Sequence, residues 1–496
     1  MSQTPEYDLL IIGGGINGAG IARDAAGRGL KVLLVEMNDL ASHTSSASTK
    51  LIHGGLRYLE HMEFRLVRES LIERERILRI APHIVWPMRF VLPHDKGLRP
   101  KWLLRLGLFL YDNLGGRKLL PATKTVNLRE GAHARTLEDR LVSGFEYSDC
   151  WVEDARLVAL NCMDAAERGA RIATRTKCTG LTRENGQWCA TLSSDSGEET
   201  VRAKTVVNAA GPWVDEVLGK AKKGTHKDHV RLVQGSHLVF PKLFDHDKAY
   251  IFQNKDNRIV FAVPYEQDFT LVGTTDVLWE DDPAKVTISD AEKQYLCDAL
   301  NEYLRVDVTP DQAVWDYSGV RPLYDDHKSD NSTVTRDYVF DLDEADGARV
   351  LSIFGGKITT YRKLAEHALE KLGVGGKGWT ADEPLPGGDF GPMQFEELLG
   401  EFQEQYPWAH KRMLRRLLRA YGTRVHNLLD GATSVNGLGE HIGGDLYARE
   451  LEYLCEQEFV RTADDVLWRR SKLGLHLDEG AKTKVAAWFA NRESAR

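Results

Sequence analysis

The stretch "YDLLIIGGGINGAGIARDAAGRGLKVLLVE", Tyr7 to Glu36, constrains this chain more than any other. Leu9 to Ile12 lacks a polar residue, as expected of a strand covered on both faces. Gly13, Gly15 and Gly18 follow in G-x-G-x-x-G spacing. The pattern then predicts a helix over Ile21–Gly29 and a second strand over Lys31–Val35, ending at Glu36. A lone glycine fingerprint says little. Strand, glycines, helix, strand and acidic residue in register specify a βαβ unit for a dinucleotide. The glycines let the backbone approach a pyrophosphate on the helix N-terminus, and Glu36 accepts from a ribose hydroxyl.

The 496 residues are 42% hydrophobic, enough for two or three domains with sizeable cores. A net charge of −8 carries no basic excess, so nucleic acid is not an expected partner. Cys150, Cys162, Cys178, Cys189, Cys297 and Cys455 form no CxxC pair, which points to reduced thiols in a cytoplasmic protein and to no metal site. The first strand begins within a few residues of Met1, so no leader peptide is expected. No apolar run approaches the ~20 residues that span a bilayer.

Beyond the βαβ unit, a helix is expected over Glu63–Arg79. Pro82, Pro87, Pro93 and Pro100 are expected to break the chain into short pieces. A helix near Arg156–Arg168, a strand near Ile172 and a meander lead to "KTVVNAAGPWVD", a buried strand at Lys204–Asn208 ending at Gly211. Residues 216–345 are rich in strand signals. "VLSIFGGKITTYRKLAEHALEKL", Val350 to Leu372, returns to strand, Gly-Gly turn and helix, and a helical, charged region follows Pro384–Pro392. The opening unit serves NAD or FAD. The further glycine turns at Gly211 and Gly355 favour FAD, because an extended, permanently held cofactor needs several distant segments.

The stretches "TSSASTKLIHGGLRYLE", "VNAAGPWVD", "GSHLVFP", "YSGVRPL", "SIFGGKITTYRKLAEHAL" and "DDVLWRRSKLGL" resemble the FAD-dependent glycerol-3-phosphate dehydrogenases of the bacterial respiratory type. The matching segments run from Ile11 to Leu475. The resemblance implies an α/β fold: a glutathione-reductase-like Rossmann domain for FAD, a β-sheet substrate domain and a C-terminal helical cap. FAD segments are expected at about 1–60, 145–215 and 346–383, substrate-binding segments at about 61–144 and 216–345, and the cap at 384–496. The implied reaction oxidises sn-glycerol 3-phosphate to dihydroxyacetone phosphate and passes electrons to ubiquinone or menaquinone. Peripheral attachment to the inner face of the cell membrane follows from it, and a homodimer is compatible with it.

That chemistry needs a phosphate grip, a proton acceptor and a stabiliser of negative charge. Arg57, Arg321 and Arg336 are candidates for the grip, since a guanidinium fork matches phosphate oxygens, and Tyr58 adds a hydroxyl. Arg336 precedes Asp337, so an internal ion pair is an alternative role. His237, expected to head a strand, is the preferred proton acceptor, with His53 given a flavin-facing role. Lys357, after Gly355-Gly356, would stabilise reduced flavin or orient substrate. Thr44, Ser45 and Ser46 offer hydroxyls to the cofactor, and Asn17, Trp213 and Thr359 complete the set that the resemblance implies. Gly54-Gly55 would give the chain access to the flavin. "GLRPKWLLRLGLFLYDNLGGRK", Gly97 to Lys118, is apolar with interspersed cations and suits an interfacial helix or a core helix. The basic run "HKRMLRRLLRAYG" reads as a helix face packed within the cap. An oxygen-using glycerol-3-phosphate oxidase and a non-catalytic FAD-binding regulator are the rival readings.

Overall fold

The computed structural model describes residues 4–95, 100–221, 230–256, 258–324 and 337–494. Two sheets organise them. The first runs Val339–Asp343, Arg349–Phe354, Gly197–Asn208, Glu6–Ile12, Val32–Val35, Arg171–Ala173 in spatial order. From Arg349–Phe354 to Arg171–Ala173 all neighbours are parallel. Leu10, Ile11, Val32, Leu33 and Leu34 are fully buried, as strands covered on both faces demand. The meander Thr176–Glu184, Gln187–Ser194 joins the long strand Gly197–Asn208 antiparallel.

Three strands, Glu6–Ile12, Gly197–Asn208 and Arg349–Phe354, end side by side, each running into small residues: Gly13, Ala209–Gly211 and Gly355-Gly356. This is the carboxyl edge at which open parallel sheets bind ligands. The helix after the first strand spans Ile16–Gly27 and begins five residues before the expected Ile21. The fingerprint glycine Gly18 thus lies inside it, packed so closely that an added Cβ would stand 2.0 Å from the Gly13 carbonyl oxygen.

The second, ten-stranded sheet includes Val230–Pro241, Phe269–Gly273, Ile259–Tyr265, Ala249–Gln253, Val85–His94 and Ser143–Val152 in spatial order. Ser143–Val152, expected near the start of an FAD segment, pairs along its whole length with Val85–His94 in this sheet. The expected break-up by prolines is overturned here, because Pro87 and Pro93 lie within the single strand Val85–His94. On its other edge that strand pairs only at Phe90 and Val91, so each proline has an unpaired edge to face.

The C-terminal region is chiefly helical, with helices at Phe395–Gln405, Lys411–Tyr421, Ala448–Gln457 and Glu479–Ser494. One hydrophobic core runs from Ile21 and Leu160 through Leu364 into Leu417 and Leu451, so these helices share the core of the first sheet. Buried ion pairs cross the same boundary. Arg156 forks onto Glu458, and Arg470 onto Asp39 at 2.8 and 2.9 Å. Removing one partner of such a pair leaves a buried charge, so the contacts fix the docking geometry.

Candidate active site

The three strand ends enclose one elongated cavity. Gly13, Gly15, Asn17, Glu36, Thr44, Ser45, Gly211, Trp213, Gly355 and Gly356 all line it. Its floor is backbone. Gly13 has φ +115°, and a Cβ there would lie 2.4 Å from the Ala209 carbonyl oxygen. The Ser45 hydroxyl accepts from the Ile16 amide at 3.0 Å, and the Asn17 side chain donates to the Gly355 carbonyl at 3.1 Å, so the first and last segments are tied together. Glu36 is nearly buried and accepts from the amides of Gly14 (2.7 Å) and Asn38 (2.8 Å); burial raises its pKa. The cradle fits an extended dinucleotide: glycine backbone at the strand ends, a helix N-terminus, and a carboxylate at the second strand's end.

Four expected cofactor residues sit outside this wall. Gly18 serves helix–strand packing. The Ser46 hydroxyl donates to the His43 carbonyl, and the Ser46 carbonyl accepts from Lys50. Lys357 lies over the Tyr58 ring at 3.7 Å. The Thr359 hydroxyl bonds the backbone of His53 at 3.3 Å in both directions. The sequence reading missed Ala41–His43, Thr176–Cys178, Lys220 and Pro322, which also line the cavity. Thr176–Cys178 and Lys220 carry no local motif and arrive through the fold, whereas Pro322 lies in "YSGVRPL" and Ala41–His43 directly precede Thr44.

A second cavity of about 570 Å³ adjoins the first along residues 44–49 and at Arg321-Pro322. Arg57, Tyr58, His53 and Arg321 line it, with Thr49, Thr274 and Asp276. Arg321 is held by Asp276 and by the Thr274 hydroxyl at 2.9 Å. Burial, with Lys357 and Arg74 nearby, pulls the His53 imidazole down to about 4, so it is neutral at pH 7. Gly55 adopts a left-handed turn at φ +74°, while a Cβ on Gly54 would stand 2.4 Å from Leu71. Gly55 lines the second cavity and neither glycine lines the first, and the pair sets the turn into Arg57.

His237 is placed differently from the expectation. It lies inside the strand Val230–Pro241, not at its head, and is 1% exposed. Its ring stacks on Tyr317 at 4.7 Å, and its Nε2 bonds the Thr49 hydroxyl at 3.0 Å. It does not itself line the second cavity, though its partner Thr49 does, and burial holds its pKa well below the ordinary value. Arg336 lies outside the described residues.

The helix Lys101–Leu114 walls the same cavity through Leu103, Leu104 and Gly107. Its outer side leaves Trp102 (69%) and Phe109 (62%) exposed, and of its residues only Leu108 and Tyr111 are buried, which favours the interfacial over the core reading. Arg99 of that segment lies outside the described residues. Among the described residues no helix is long and apolar enough to cross a membrane.

Residues 8–362 match the family model described as FAD dependent oxidoreductase, and 379–492 the one described as the C-terminal domain of alpha-glycerophosphate oxidase. D-erythritol 1-phosphate dehydrogenase of Brucella abortus is 51% identical over 99% of both chains. Glycerol-3-phosphate dehydrogenase of Pseudomonas aeruginosa is 50% identical over 99% of this chain and 96% of its own. Among solved structures, glycerol-3-phosphate dehydrogenase from Bacillus halodurans complexed with FAD is 30% identical, covering 99% of this chain and 91% of that one at a TM-score of 0.78.

Proposed function

Because the chain belongs to the FAD-dependent oxidoreductase family, we propose that it oxidises sn-glycerol 3-phosphate to dihydroxyacetone phosphate and delivers the electrons to a membrane quinone. The observation that carries this reading is the single cavity, next to the cofactor cradle, that gathers Arg57, Tyr58, Arg321 and a neutral His53. Bound FAD supplies the acceptor for the hydride leaving C2. Arg57 grips the phosphate, and Arg321, oriented by Asp276 and Thr274, supports it. Arg336 completes the grip on sequence grounds alone. His53 takes the C2 hydroxyl proton. His237 holds the Thr49 hydroxyl on the wall of the same cavity. Lys357, over Tyr58, stabilises negative charge beside the Gly355-Gly356 turn.

The division into a core over 1–383 and a cap over 384–496 belongs to this reading, supported by the two family matches. So does attachment to the inner face of the cell membrane through the exposed Trp102 and Phe109 side of the helix Lys101–Leu114. A second reading, oxidation of D-erythritol 1-phosphate, is favoured by the 51% identical Brucella relative and by a cavity roomy enough for a four-carbon chain.

The deciding experiment is anaerobic titration of the purified protein with each polyol phosphate while its flavin band is followed. Rapid bleaching by sn-glycerol 3-phosphate supports the first reading. Bleaching by D-erythritol 1-phosphate alone replaces the substrate, and a stable band with both sinks the proposal. Peroxide release in air would make the protein an oxidase.

A further inference from the structure

Residues 44–50 form the partition between the two adjoining cavities, and one carboxylate outside both holds it. Thr44 and Ser45 line the cofactor cavity, and Thr49 lines the second. Asp154 lines neither; it is 1% exposed and opens the helix Asp154–Glu167, where the helix dipole favours a negative charge. Its carboxylate accepts from the Ser48 hydroxyl at 2.7 Å, the Ser48 amide at 3.3 Å and the Lys50 ammonium at 2.8 Å. Further along the same helix, the buried pair Arg23–Asp164 at 2.6 Å ties it to the helix Ile16–Gly27 of the cradle. The place of the partition is thus fixed relative to the cofactor cavity.

Lys50 shows what this hold overcomes. Its side chain is fully buried, and its backbone takes the left-handed region at φ +59°, which L-residues adopt at a cost. The Ser46 carbonyl accepts from the same ammonium at 3.0 Å, and the ammonium lies over the Tyr317 ring at 5.1 Å. Tyr317 stacks on His237, the partner of Thr49. From the second sheet the partition is pinned by neutral groups: Tyr317 donates to the Ser48 carbonyl at 2.8 Å, and Thr44 donates to the Val320 carbonyl at 2.7 Å. Among the described residues Asp154 is the ionic anchor of the segment.

We propose that Asp154 is a positioning residue of the reaction. By holding Ser48 and Lys50 it fixes the wall from which Thr44 and Ser45 face the cofactor and Thr49 faces the substrate. It thereby sets how closely the two approach. This inference rests on the second cavity being the substrate site. A misplacement of about 1 Å between reacting groups costs on the order of a hundredfold in rate. The phosphate grip stands on other segments, with Arg57 on the turn after Gly55 and Arg321 held by Asp276. Loosening the partition therefore slows the chemical step and spares substrate affinity.

The test compares the FAD-loaded full chain as wild type, Asp154→Asn and Ser48→Ala. One readout is the visible circular dichroism of the bound flavin without substrate. The other is the rate of anaerobic flavin bleaching against the concentration of sn-glycerol 3-phosphate or D-erythritol 1-phosphate, whichever bleaches the wild type. For Asp154→Asn the expected result is an altered flavin dichroism and a bleaching rate at saturation lowered at least about tenfold, with the half-saturating concentration within about threefold of wild type. Ser48→Ala leaves the helix start intact and is expected to move both readouts in the same direction, the rate by about threefold. Should Asp154→Asn fail to fold or to hold flavin, Ser48→Ala carries the test. Wild-type dichroism or a wild-type saturating rate in Ser48→Ala, or in a folded Asp154→Asn, overturns the proposal, as does a change confined to the half-saturating concentration. If neither polyol phosphate bleaches the wild type, the functional reading fails, and the dichroism of the two variants alone decides this one.

Discussion

The two adjoining pockets are built from different materials. The cofactor cradle is made chiefly of backbone at three strand ends, where glycine permits what a side chain would obstruct. The neighbouring cavity is made of side chains: Arg57 and Tyr58 on a turn, Arg321 on a strand of the second sheet, leucines on the helix Lys101–Leu114. A backbone cradle tolerates almost no added atom, whereas a side-chain pocket loses function in graded steps. Substitutions on either side should therefore fail in different ways.

The largest effect belongs to the cradle. Gly13→Val adds atoms where a Cβ already stands 2.4 Å from the Ala209 carbonyl oxygen, at a φ that L-residues rarely adopt. The purified variant is expected to carry almost no flavin, measured as the flavin band per protein. A yellow, fully loaded variant would break the comparison. Next comes the clamp behind the cradle. Arg470→Ala leaves Asp39 with Arg469 alone and Glu458 with Arg156 alone, at a cost of about 1.5–3 kcal/mol for the lost charge-assisted hydrogen bonds. Asp39 closely precedes the cavity-lining Ala41, so denaturant unfolding should shift to lower concentration and flavin should be lost on dilution.

Arg57→Ala tests the side-chain pocket. Losing one charge-assisted phosphate contact should raise KM roughly a hundredfold, about 3 kcal/mol, while flavin stays bound. Unchanged kinetics would remove Arg57 from the site. A smaller effect is expected from Trp102→Ser with Phe109→Ser, which should weaken liposome flotation about tenfold and leave turnover with a soluble dye unchanged.

The smallest expected effect is a flat pH profile. His53 has its pKa depressed to about 4, so its proton-accepting neutral form persists as pH falls below the ordinary 6.5. The kcat should stay level from about pH 8 to 5.5. The sign for stability is the opposite of that for a charged, paired histidine. The contribution of buried neutral His53 is fully present above 6.5 and is lost as pH falls toward about 4, because the unfolded chain binds the proton more readily. An acid limb in kcat near 6.5 would assign proton transfer to a more exposed group.

The same contrast explains what the sequence disclosed. Gly13, Glu36, Gly211 and Gly355 were legible because each stands at a strand-to-turn junction readable within about ten residues. Gly18 obeys the same motif but serves packing, since the helix begins at Ile16. His237 looked like the proton acceptor because its imidazole was expected at the head of a substrate-lobe strand. Only the pairing of its strand with Gly273 and Tyr317 reveals a ring sealed between neighbours and facing Thr49. Thr176–Cys178 and Lys220 reach the cofactor cavity through topology, and no window of sequence signals that. The run "HKRMLRRLLRAYG" displayed its helical period, and Arg415 and Arg416 do pair within the C-terminal region, with Glu396 and Glu450. Pro87 and Pro93 misled, since whether a proline breaks a strand depends on which edge its neighbour occupies.

Tyr111 gives the helix Lys101–Leu114 a mechanical meaning. Its hydroxyl accepts from the Gly54 amide at 2.7 Å and donates to Asp149 at 2.8 Å, and Arg74 locks that carboxylate from the other side. The turn that aims Arg57 is thereby bolted to the helix whose outer side is bare tryptophan and phenylalanine. Through one buried phenol the turn and the helix hold a single fixed spacing.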